Sequence, residues 1–128
     1  MIDFVSVFSE KADESLAGAA SEFVNGRYNN CVNRAYYACF QAAIYALAQA
    51  GVRPTGAGGW GHDFVQARFI GQLINQRKLY PTELRGTLVR NMTLRHEADY
   101  GTHAINQIEA SRALGRSRQF VEAILTRG

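Results

Sequence analysis

The sequence predicts an all-α fold, an up-and-down bundle of about five helices built as a single domain over residues 1–128. Three observations predict it. Apolar residues recur at helical spacing in five segments. Connections of only two to ten residues join those segments, which suits antiparallel neighbours. Strand signals are missing: no stretch alternates with period two, and no Asn-Gly turn lies between β-branched runs.

The first helix is predicted from about Asp3 to Val24, with Phe4, Val7/Phe8, Lys11/Ala12, Leu16, Ala19/Ala20 and Phe23 at helical spacing. Asn25-Gly26 is its stop, because glycine supplies the left-handed residue that ends many helices. The second helix, Tyr28 to Gly51, is apolar or small almost all the way round, yet carries Arg34 and four tyrosines. Tyr36, Phe40, Ala43 and Leu47 would be buried on one side, and Ala35, Ala38, Cys39, Ala42 and Ala46 on another. A surface helix shows one apolar stripe, so this one must sit between neighbours on two sides. A charged Arg34 in such a helix needs a partner or a water-filled cleft. Val52 to Gly61 holds Pro54 and four glycines and reads as a loop. The third helix runs from about His62 to Lys78, burying Phe64, Phe69 and Leu73 with Val65, Ile70 and Ile74 beside them. Pro81-Thr82 starts the fourth, which carries Leu84, Leu88, Met92 and Arg95 on one face and ends near Tyr100-Gly101. The fifth runs from about Ala104 to Thr126, with Ile108, Ala113, Phe120 and Ile124 as core candidates.

Charged residues are 20% of the chain and apolar residues 47%, ordinary for a folded domain. No apolar run is long enough to span a membrane, and acids are scattered through Met1 to Gly26, so neither a signal nor a basic transit peptide is expected. A cytoplasmic location follows as the expectation. Cys31 and Cys39 lie on one predicted helix about 12 Å apart along its axis, too far for a disulfide. No CxxC or Cys/His cluster points to structural zinc, no P-loop follows the glycines of the loop, and no cofactor is expected. Charge is uneven. Residues 1–26 hold five acids and one base, whereas residues 27–128 hold thirteen bases and six acids. Twelve of the fourteen bases are arginine, whose planar fork suits phosphate and stacks on bases. A general preference for arginine over lysine explains the same bias without RNA.

The run NGRYNNCVNRAYYACFQAA (Asn25 to Ala43) resembles the HEPN domain family, an all-helical, nucleotide- and RNA-associated family. Two later segments match in order: LRHEADYG (Leu94 to Gly101) resembles the family's Arg-x-x-Ala-Asp-Tyr segment, and SRQFVEAI (Ser117 to Ile124) its closing helix. His62 sits where a histidine often opens the family's third helix. The resemblance covers nearly the whole chain.

The resemblance implies two alternative functions. Many members are metal-independent ribonucleases, often toxins, with an arginine followed after four to six residues by a histidine in a site completed across a dimer. The arginine stabilises charge on the reacting phosphate and the histidine moves protons. Other members are non-catalytic partners of minimal nucleotidyltransferases that help hold a nucleotide. The expectation is therefore a homodimeric HEPN partner in a toxin–antitoxin or defence pair, acting on or binding RNA, beside a nucleotidyltransferase. This chain departs from the nuclease pattern. Aligned on Arg95, the position five residues on is Tyr100, and His103 falls outside the window. Arg90 and His96 have the spacing but sit one turn early, and point about 120° apart on a helix. The candidate catalytic set is Arg95, Tyr100 and Asn33, and the candidate binding set is Arg34, Asp99, His62, Arg90 and His96, with Arg34 expected to pair with Asp99. Each has a plain structural alternative. Arg95 and Asp99 are spaced as a helical ion pair, Asn33 and Arg34 can bond neighbouring helices, and His62 can cap or pack. Tyr36, Tyr37 and Tyr45 can be core or interface, and Arg112, Arg116 and Arg118 a solvated face.

Overall fold

The computed structural model describes residues 4–56 and 58–127, with side chains from Ser6 onward. The predicted start at Asp3 and the core role of Phe4 lie outside the described residues. Five helices follow in chain order: α1 (Phe4–Val24), α2 (Tyr28–Gln49), α3 (His62–Arg68), α4 (Arg85–Tyr100) and α5 (Gln107–Leu125). No strand occurs among the described residues, and none of their helices is long and apolar enough to cross a membrane.

Helix α2 is the centre of the bundle, packed against α1, α5, α4 and α3. Its small residues explain this. Ala35, Ala38, Cys39, Ala42 and Ala43 are fully buried, and with so little side chain on these positions neighbouring helices can approach the backbone closely. Larger residues fill the remaining space: Tyr36 and Leu47 are also fully buried, and Phe40 is half-buried. The lower half of α2, Cys31, Val32 and Ala35, packs with Ala19, Ile105, Ala110, Ala113 and Leu114. Its upper half joins Val65, Phe69, Leu73, Leu84, Leu88 and Phe120. Gly26, at φ 73°, makes the left-handed turn that stops α1 and reverses the chain into α2. Both cysteines are free and buried.

The ends of several elements differ from the sequence reading. The third helical segment continues as a π-helix over Phe69–Gln76, and a 3-10 turn over Thr82–Leu84 leads into α4. Helix α5 begins at Gln107 because Asn106 caps it. The Asn106 side chain accepts from the Glu109 N–H at 2.9 Å, and the Glu109 carboxylate accepts from the Asn106 N–H at 3.1 Å. This corrects the expected core role of Ile108, which is 61% exposed. The buried stripe of α5 is Ala110, Ala113, Leu114, Ser117, Phe120, Val121 and Ile124, and Ile108 falls on the opposite side. Ile105, just before the cap, takes the apolar role instead.

Candidate functional site

The matched motifs of α2 and α4 meet on one face of the bundle. On α4, Arg95 and Asp99 lie one turn apart, and Arg95 Nη1 donates to Asp99 Oδ2 at 3.2 Å. This is more than a surface pair, because Arg95 is only 8% exposed. Its guanidinium lies 5.4 Å from the Tyr36 ring centre and 5.8 Å from that of Tyr37, both on α2. An aromatic face attracts a cation through its quadrupole, and more strongly where water is excluded. A further contact runs from Arg95 Nη2 to Met92 Sδ at 3.3 Å. The Arg95 Nε–H is buried without an acceptor.

From α2, Asn33 donates through Nδ2 to both oxygens of Asp99, at 3.3 and 3.1 Å. Its own Oδ1 accepts from Arg34 Nε at 3.0 Å and Nη2 at 2.7 Å. The expected direct pairing of Arg34 with Asp99 is therefore corrected: Asn33 stands between them. Arg34 is exposed, not buried, because its stem runs out beside Gly18 of α1 and lays its guanidinium 5.2 Å from the Tyr37 ring centre. It borders an open groove of about 690 Å³ shared with Lys11, Glu14 and Gln41.

The N-terminus of α3 supplies His62. Its Nδ1 lies 2.6 Å from the Tyr36 hydroxyl, and its ring packs on Phe40 at 4.6 Å between centres. Burial pushes the Tyr36 phenol up to about 12, so it keeps its proton at neutral pH, and the donor in the Tyr36–His62 contact follows the imidazole tautomer. Burial, and then the nearby Arg95 charge, hold the His62 pKa below its ordinary value, partly opposed by Asp63. Arg95, Asp99, Asn33, Arg34, Tyr37, Tyr36 and His62 thus form one connected group. It holds two guanidiniums against one carboxylate, so an arriving anion meets a surplus of positive charge. Among the described residues no group of three or more His, Cys, Asp or Glu could hold a metal ion.

The other candidates lie elsewhere. Tyr100 is 72% exposed and packs its ring on His96, 5.1 Å away, rather than joining Arg95. Five helical steps turn it well away from the Arg95 side. His96 borders a shallow cleft with Met92, Leu94 and Glu97, while Arg90 faces Arg112 and Arg116 of α5. The structure does not bring Arg90 and His96 together. His103 is engaged by Glu109 at 2.9 Å. Two features escaped the sequence reading. The Tyr36–His62 contact spans a glycine-rich loop whose path the sequence does not specify. Asn91 is fully buried, and its position in the apolar stripe of Leu84, Leu88 and Arg95 was the available signal.

A family model described as HEPN domain matches residues 5–127. No curated protein matches the chain.

Proposed function

Because the chain belongs to the HEPN domain family, we propose that it binds RNA through a phosphate held at Arg95, Arg34 and Asn33. It does so as the HEPN partner of a cytoplasmic toxin–antitoxin or defence pair, beside a minimal nucleotidyltransferase. The observation that carries this reading is the fixed Arg95. One carboxylate and two aromatic faces hold its guanidinium in place, so little conformational entropy is lost when a phosphate arrives. Asn33 keeps Asp99 occupied, and exposed Arg34 gives the first contact in solvent. Tyr37 lies against both guanidiniums and holds them on one side of the site.

A cleaving role has one observation in its favour. His62, its pKa lowered, lies in the field of Arg95, and as the Nδ1–H tautomer bonded to Tyr36 it would keep Nε2 free to take a proton. In that reading Arg95 stabilises charge on the phosphate, the ribose 2′-OH attacks phosphorus and gives its proton to His62, and the P–O5′ bond breaks to leave a 2′,3′-cyclic phosphate and a 5′ oxygen that water protonates; His62 replaces the histidine missing after Arg95. Anisotropy of labelled single-stranded RNA tests the binding reading, and gel analysis of the same RNA in EDTA tests cleavage. Arg34→Gln should weaken binding and flatten its salt dependence by about 0.7 in logarithmic slope, without lowering thermal stability. Equal affinity and slope for Arg34→Gln and wild type would refute the site. Products ending in a 2′,3′-cyclic phosphate and lost in His62→Ala would establish cleavage.

A further inference from the structure

A second cluster of cations lies between α4 and α5, on a different face from Arg95. Arg90, Thr93 and Leu94 of α4 and Glu109, Arg112 and Arg116 of α5 line a cleft of about 380 Å³. The spacing makes it: Arg90 with Leu94, and Arg112 with Arg116, are each one turn apart and project along one side of their helix.

Arg116 is anchored from beneath. Its Nε donates to Asn91 Oδ1 at 2.9 Å. Asn91 is itself fully buried, and its Nδ2 is spent on the Ala113 carbonyl at 3.3 Å and on Cys39 Sγ at 3.8 Å. A buried amide with every group used has no freedom to swing, so it sets the direction of the arginine. A guanidinium has five N–H donors, and the Asn91 contact takes one from Arg116. None of the three ion pairs among the described residues includes Arg90, Arg112 or Arg116. The one carboxylate in the cleft, Glu109, already accepts from His103 and from the Asn106 N–H. Burial, then the charges of Arg90 and Arg112, push the Arg116 pKa down, which marks mutual repulsion that an anion would relieve. The apolar wall from Val89, 48% exposed, and Leu94 suits the sugar or base attached to a phosphate.

We propose that the Arg90–Arg112–Arg116 cleft is a second phosphate-binding site, separate from the Arg95 group, taking either a phosphodiester of a polynucleotide or a free polyphosphate. Three guanidiniums facing one small cleft match the several oxygens of such a group better than any single surface arginine. The proposal does not depend on RNA occupying the Arg95 site.

The test measures binding of two probes, a twelve-nucleotide single-stranded RNA and inorganic tripolyphosphate, by calorimetry across a salt series. The proteins are wild type, the Arg90→Gln/Arg112→Gln double variant and Arg34→Gln. The double variant leaves the Arg116–Asn91 contact intact, so the fold is retained; circular dichroism checks this. Removing two phosphate contacts should lower affinity for the occupying probe by tenfold or more and flatten the RNA salt slope by about 1.4. Loss of RNA binding in the double variant assigns the cleft to the backbone, and loss of tripolyphosphate binding alone assigns it to a free polyphosphate. Unchanged affinity of the double variant for both probes, or no binding of either by wild type, overturns the proposal. If Arg34→Gln alone weakens RNA and the double variant binds tripolyphosphate like wild type, the Arg95 site stands and the cleft falls. If only the double variant does so, the reverse holds.

Discussion

The Arg95–Asp99 pair makes a sharp prediction because its two ends differ in burial. The side chains are 10% and 25% exposed, and they meet at 3.2 Å. An exposed pair at this helical spacing contributes about 0.3–0.5 kcal/mol, and breaking a fully buried one costs about 3–5 kcal/mol. Solvent still reaches a quarter of the carboxylate, so the coupling falls between, at about 1–2 kcal/mol. The single variants should be unequal. Asp99→Asn leaves a nearly buried guanidinium without its anion and should cost about 2–3 kcal/mol. Arg95→Met keeps the packing on Tyr36 and Tyr37 and leaves Asp99 with the Asn33 N–H donors, so it should cost about 1 kcal/mol. Urea unfolding followed by circular dichroism, at one fixed protein concentration, gives all four corners of the cycle. A double variant that loses the plain sum of the two, or an Arg95→Met costlier than Asp99→Asn, refutes the reasoning. Either result would mean that Asp99 does not hold Arg95.

Three further predictions concern other links. Ala42 is fully buried on α2, so Ala42→Leu should destabilise by about 1–3 kcal/mol through overpacking; a loss under half a kcal/mol in urea would mean that α2 is not flanked there. The histidines should separate by NMR titration, His62 below and His103 above the ordinary 6.5. A depressed His62 favours the folded state above pH 6.5 and loses that contribution as pH falls through its folded value. A raised His103, paired with Glu109, contributes fully below 6.5 and loses it as pH rises through its folded value; identical titrations would contradict both environments. Finally, two-fold pairing with α2 and α4 near the interface fits the exposed Tyr100. Light scattering at tens of micromolar should give twice the chain mass, and a monomer mass would rule that out.

The central helix was legible because its alanines and tyrosines leave no polar face, which forces neighbours on two sides. The matched motifs made it legible that α2 brings this stretch to Asp99, though the residue that bonds Asp99 is Asn33 and not Arg34. The route of Arg34 was not. A long side chain can turn inward or outward, and which it does depends on how α1 packs beside it at Gly18, a tertiary fact. Ile108 was misassigned although the sequence held the answer. Asn106 with Glu109 three residues on is a capping signal that starts the helix later than Ala104 and turns Ile108 to solvent. The contact of His62 with Tyr36 depends on how the loop after Gly51 folds back, which composition does not encode.

RNA recognition as proposed turns most on phosphate binding at Arg95. Its most direct measurement is a ¹⁵N NMR titration of the side-chain N–H signals with single-stranded RNA. Arg95 Nε–H, buried without an acceptor, and the Asn33 amide, bonded to Asp99, should each give a distinct signal. The account predicts that both shift in step as RNA is added, together with Arg34 Nε–H. RNA that binds while the Arg95 and Asn33 signals stay in place would contradict it.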